Sequence, residues 1–241
     1  MRKALVGIVL AASLPFAMSG AALAGAVFSD GTFDLTNYSE SSPYYSTSTA
    51  TFSQCASCGL PGTALDIKST VTDPFGVYAQ GFVNNTFTYD PATQGTITGI
   101  SASVDKDISV TYGGIGFTNT FHPLILQDGN YYLASIHLPN FNLPDGGGST
   151  GYESASGSLI ASDFQKYDFT TGSFVTGTPD FSGDQMWFGL AQISGSATGS
   201  LEVYYDNLSL AIETPEPISL SVFGAGLAAA ATMRRRRKRP V

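Results

Sequence analysis

Apolar residues along this chain come in short bursts rich in Val, Ile, Thr, Tyr and Phe, cut every few residues by Gly, Pro, Asn or Asp. No stretch shows the spacing of an amphipathic helix, and short β-branched and aromatic runs of this kind read as strands. Strands are expected over 27–35, 50–54, 65–71, 76–83, 86–89, 96–104, 108–112, 116–121, 124–127, 131–138, 157–161, 186–193 and 201–212. Turns are expected at Asp90-Pro91, Asp128-Gly129-Asn130, Gly146-Gly147-Gly148 and Ser182-Gly183-Asp184. Many short strands at this spacing predict an all-β fold, an antiparallel two-sheet β-sandwich of jelly-roll-like form. A solenoid is the alternative, and no internal repeat supports it.

The closing strand carries a further signal. From Leu201 to Tyr205 the apolar residues occupy odd positions, and from Leu208 to Ile212 even ones. Side chains alternate between the faces of a strand, so a change of phase requires a bulge, here at Asp206-Asn207. This Tyr-Asp-Asn-Leu-Ser-Leu strand resembles the last strand of jelly-roll carbohydrate-binding modules and lectin-like sandwiches. The opening Phe28-Ser29-Asp30-Gly31-Thr32-Phe33-Asp34-Leu35 is similar to their first.

Both ends read as addresses. Arg2 and Lys3 precede the apolar run 4–18, and small residues lead to Ala22-Leu23-Ala24. This is the order of a secretory signal peptide, predicted over 1–24 with cleavage after Ala24; an uncleaved anchor helix is the alternative. At the other end, Thr214-Pro215-Glu216-Pro217 is followed by an uncharged stretch from Ile218 to Met233 and a basic block, Arg234 to Arg239. The prolines break any helix running back into the body. The uncharged stretch reads as a short transmembrane helix, about 24 Å long against a hydrocarbon core of about 30 Å. It can hold the inner membrane only weakly, with its arginines on the cytoplasmic side.

Pro215-Glu216-Pro217, the Gly-Ala-rich span with Gly224 and Gly226 and the terminal arginines together resemble the PEP-CTERM sorting signal. The resemblance covers 214–241 and implies export, transient inner-membrane anchoring, and processing at the motif by an exosortase. It places the protein on the cell surface or in the extracellular matrix of a Gram-negative bacterium and is silent about activity. A permanent C-terminal anchor is the alternative. The remaining span, 25–213, is the predicted sandwich domain.

Charge and composition narrow the function. The stretch from Gly25 to Pro217 holds 19 acidic residues and only Lys68, Lys106 and Lys166 as basic ones, a formal charge of −16. A surface so acidic excludes nucleic acid as a partner. No serine lies in Gly-x-Ser-x-Gly. His122, which precedes Pro123, and His137 are expected in turns or at the surface. Cys55 and Cys58 are the only cysteines, and export predicts a disulfide between them. Asp206 shares the inward parity of Leu208 and Leu210, and a buried carboxylate needs a cation or hydrogen bonds. A structural Ca²⁺ held by Asp206 with Asp30 or Asp34 is one expectation; otherwise these aspartates cap turns, and no other cofactor is called for. Tyrosines such as Tyr44-Tyr45, Tyr131-Tyr132 and Tyr204-Tyr205 are candidate sugar platforms, with core or cross-strand packing as the alternative, whereas Trp187 in an apolar run is expected in the core. The expected role is structural or polysaccharide-binding, in biofilm, with no catalytic activity; an extracellular glycan hydrolase is the alternative.

Overall fold

A computed structural model describes residues 23–73, 76–110, 120–138, 148–196 and 199–215. In chain order its strands are β1 (Leu23–Asp30), β2 (Tyr38–Glu40), β3 (Tyr44–Ser46), β4 (Ser48–Gly59), β5 (Gly62–Val71), β6 (Gly76–Tyr89), β7 (Gly99–Val110) and β8 (Thr120–Gln127). They continue with β9 (Asn130–Leu133), β10 (Ile136–His137), β11 (Gly148–Ser149), β12 (Glu153–Leu159), β13 (Gln165–Asp168), β14 (Ser173–Val175), β15 (Met186–Ser196) and β16 (Gly199–Thr214). All pairings are antiparallel. The only α-helix among the described residues is the single turn Pro91–Gln94, capped by the Asp90 carboxylate.

The strands form two sheets. The first runs β11-β7-β16-β5-β4, with β12 also paired to β7 and β1 to β16; the second runs β14-β13-β9-β8-β15-β6-β2, with β3 on β6 and β10 on β8. Within them, β12-β7-β16-β5 faces β6-β15-β8-β9, the interleaved strand order of a jelly roll, so the chain repeatedly crosses from one sheet to the other. The main core lies between the sheets. Leu65, Ile67, Val104, Ile108, Val203 and Leu210 meet Tyr78, Phe82, Phe121, Ile125, Phe188 and Leu190, all buried. A second apolar cluster, Ala79, Val83, Leu124, Leu133, Tyr167, Phe169 and Ala191, covers the opposite face of the second sheet.

The phase change in the last strand is present as expected. Leu201, Val203 and Tyr205 point inward, then Leu208, Leu210 and Ile212. Pairing with β7 slips between Asp206 and Ser209, and Asn207 takes a left-handed φ of 50°. Asp128 and Gly129, at φ 51° and 71°, make the tight turn between β8 and β9, a geometry that Asp-Gly favours.

Several expected boundaries are displaced. The breaks expected near 84–85 and 105–107 lie inside β6 and β7, because bulges and inward-facing polar residues interrupt the pattern without ending the strand. Pro123 lies within β8 rather than in a turn, opposite the gap between β9 and β10, where its missing N–H breaks no ladder bond. β1 starts at Leu23 and β16 ends at Thr214, and the compact unit is Leu23–Pro215. Residues 1–22 of the expected signal peptide, and the tail from Glu216 on which the short transmembrane helix is expected, lie outside the described residues. Among those described, no helix is long and apolar enough to cross a membrane.

Candidate functional site

Asp30, Asp34 and Asp206 serve three separate local purposes. Asp30 Oδ1 accepts from the Thr32 and Phe33 amides, each at 2.8 Å, and its Oδ2 from the Tyr38 hydroxyl at 2.9 Å. Asp34 caps the 3₁₀ turn Leu35–Asn37 by accepting from Thr36. Asp206 is fully buried, as the parity predicted, and accepts from the Leu60 and Asn207 amides. Hydrogen bonds thus occupy these carboxylates, and among the described residues no group of three or more His, Cys, Asp or Glu is arranged to hold a metal ion. Cys55 and Cys58 are joined by a disulfide, with Cα atoms 5.5 Å apart. The loop they brace is seated on the β16 bulge: Asn207 Nδ2 donates to the Leu60 carbonyl at 3.1 Å and to Asp105 at 2.8 Å, and the Tyr152 hydroxyl donates to the Cys58 carbonyl. Of the expected sorting motif, Pro215 is the last described residue; Glu216 and Pro217 lie outside.

The two histidines part company. His137 is exposed, but His122 is buried in β8, its Nδ1 2.9 Å from the Ala134 carbonyl and its Nε2 without a partner. Burial pushes its pKa down to about 4, against the Ala134 hydrogen bond and helped by nearby Lys106. The expectation of a surface or turn histidine fails because Pro123 continues the strand. Trp187 is half-buried against the second apolar cluster rather than in the main core.

Lys106 is buried completely between the sheets. Its ammonium donates to the Thr120 carbonyl at 2.9 Å and lies 5.1 Å from the centre of the Tyr205 ring, with no carboxylate partner among the described residues. Desolvation alone lowers its pKa to about 7.

Two carboxylates meet on the outer face of the first sheet. Lys68 Nζ reaches Asp66 at 3.2 Å and Glu202 at 2.7 Å, and the Tyr204 hydroxyl donates to Glu202 at 2.6 Å. Asp66 Oδ1 is buried without a hydrogen-bond partner. Burial raises the Asp66 pKa despite the Lys68 ammonium. For Glu202 burial also works upward, but hydrogen bonds from Lys68 and Tyr204 outweigh it and hold its carboxyl below the usual range. Environments that separate two acids in this way are those that can support acid–base chemistry. This pair lies on a sheet face, and the residues lining two depressions elsewhere on the described surface do not include it.

One of those depressions, about 360 Å³, runs over Ser101, Ser103, Ser156, Ser158 and Ser209, and offers neither an aromatic ring nor a charge. The other is a cleft of about 410 Å³ along β9, β13 and β14, within the range of small-ligand sites. Tyr167 pairs with Tyr131 across β13 and β9. Their rings meet Phe169 edge to face, with centroids 4.8 Å and 5.1 Å away; Tyr167 and Phe169 are buried, and Tyr131 remains half-exposed. Around it stand Ser42, Asn130, Lys166, Asp168 and Thr170. Asp168 is held ionised by the Thr170 amide and the Thr171 hydroxyl, which lower its pKa. Tyr131-Tyr132 was visible in the sequence as a platform; Lys166, Asp168 and Phe169 were not, because β13 is too short to show a period.

No family model and no curated protein matches the chain. Among solved structures, the enzymatically active domain of tailspike protein 4 from bacteriophage CBA120 aligns with a TM-score of 0.35 at 13% identity, over 76% of this chain and 20% of that one. An exo-β-agarase aligns with a TM-score of 0.34 at 18% identity, over 78% of this chain and 25% of that one. The chain thus spans a quarter or less of either protein, and likenesses of this size carry no argument about its activity.

Proposed function

We propose that this chain is an exported, exosortase-sorted surface or matrix protein of a Gram-negative bacterium, and that its jelly-roll body holds extracellular polysaccharide without cleaving it. The observation that carries the binding role is the cleft in which the half-exposed Tyr131, backed by buried Tyr167 and Phe169, lies among Asn130, Lys166, Asp168 and Thr170. A sugar ring presents an apolar C–H face to an aromatic ring and hydroxyls to carboxylates and amides. A body with a formal charge of −16 favours a neutral glycan over an acidic one. Affinity electrophoresis through neutral and uronic-acid polysaccharides tests this: the wild type is expected to be retarded by a neutral gel, and Tyr131→Ala to migrate freely. Equal retardation of the two proteins removes the cleft from the account.

Asp66 and Glu202 favour a second reading, glycan hydrolysis. Release of reducing ends by the wild type, abolished in Glu202→Gln, would establish it over the first. For sorting, mass spectrometry of protein from its native host is expected to find a mature form near residues 25–217 that lacks Arg234–Arg239. Recovery of the intact tail on the surface protein would instead make it a permanent anchor.

A further inference from the structure

The first sheet ends in β4, whose outer edge pairs with no strand among the described residues. Such an edge presents alternate backbone N–H and C=O groups to solvent, and proteins blunt it with charge, proline, brevity or bulges. At 12 residues, β4 is longer than any of the other strands that end a sheet, and Ser48–Gly59 contains no charged residue and no proline. Its one irregularity, between Cys55 and Gly59, falls beyond the regular run from Ser48 to Cys55. The competing edges are short or charged: β14 and β2 have three residues each, β2 carries Glu40, and β12 carries Glu153.

Charge identifies the partner. In a body of formal charge −16, two copies repel wherever acidic surfaces meet, and β4 itself carries no charge, with Lys68 of β5 opposite Thr51 and Asp66 opposite Ser53. Along 49–53 the strand complements itself. About a two-fold axis at Thr51, antiparallel pairing sets Thr51 against Thr51 and Thr49 against Ser53 on the outer face. On the inner face it sets small Ala50 against large Phe52. Hydroxyl pairs and a small-to-large apolar pair are favourable cross-strand neighbours. Phe52 is already positioned by its edge-to-face contact with Phe82, 5.3 Å between centroids.

We infer that β4 is a self-association edge, by which two copies of this chain join their first sheets through antiparallel β4–β4 pairing centred on Thr51. The resulting contact is isologous and closed, so it yields a dimer rather than a fibre.

Sedimentation velocity on the full chain in nonionic detergent tests the inference. The wild type is expected to dimerise at micromolar concentration. The exposed-face pair Thr49→Lys/Thr51→Lys should weaken association by about tenfold or more, because it places four ammonium groups together across the axis, while its far-UV spectrum stays unchanged. Thr51→Cys should form a covalent dimer under mild oxidation, and Thr70→Cys, on the neighbouring strand β5, should not. A monomeric wild type, or a dimer indifferent to the lysines, overturns the inference; the latter assigns association to the tail or to another face.

Discussion

Lys106→Met should raise the melting temperature on the acid side of pH 7 by about 2 °C or more, since exchanging a buried ammonium without a carboxylate partner for an apolar chain of similar volume is stabilising by about 1–4 kcal/mol. The wild type should also gain stability as the pH rises. Below the Lys106 pKa of about 7 both folded and unfolded chains hold the proton, and folding must desolvate the charge in full. Between that value and the ordinary lysine pKa of 10.5, only the unfolded chain remains protonated, so stability climbs with pH across this window. His122, pushed down to about 4, adds the same slope between that value and its ordinary 6.5. Thermal unfolding of both proteins from pH 5 to pH 9 checks this. A parallel pH dependence in Lys106→Met would mean that Lys106 is not the group responsible.

Gly189→Ala is expected to destabilise the domain by about 3 kcal/mol, the upper end of the usual cost of overpacking. Gly189 lies in β15 opposite Val83 of β6, where an added Cβ would collide with the Phe82 carbonyl oxygen and stand 2.9 Å from the Val83 Cα. The obstruction is backbone rather than the end of a flexible side chain, so β6 and β15, both central in the second sheet, must separate. Urea unfolding measures the loss. A change below about 1 kcal/mol would show that the strands adjust without cost.

These two positions mark how far the sequence could be read. Parity alone located the β16 bulge, because three inward apolar side chains fall on each side of Asp206-Asn207. It also turned Asp206 inward, but the amide that compensates this carboxylate belongs to Leu60, 146 residues away in the chain, and no local pattern joins them. Lys106 was legible in principle. Ile100, Ala102, Val104 and Ile108 share its parity, yet the charged run Asp105-Lys106-Asp107 reads as a break between two strands. Gly189 was hidden for a different reason: close approach of two backbones leaves no trace in an apolar run. The cleft was the least legible feature, since Tyr131, Lys166, Asp168 and Phe169 come together only through the β9–β13 pairing.

The central claim is that this cleft, rather than the carboxylate pair on the other sheet, receives glycan. Amide chemical-shift mapping during titration with a neutral oligosaccharide tests it most directly. Shifts are expected to concentrate at Asn130, Tyr131, Lys166, Asp168 and Thr170, and to be absent in Tyr131→Ala and absent with a uronic-acid oligomer. Shifts centred on Asp66, Lys68, Glu202 and Tyr204 would contradict it.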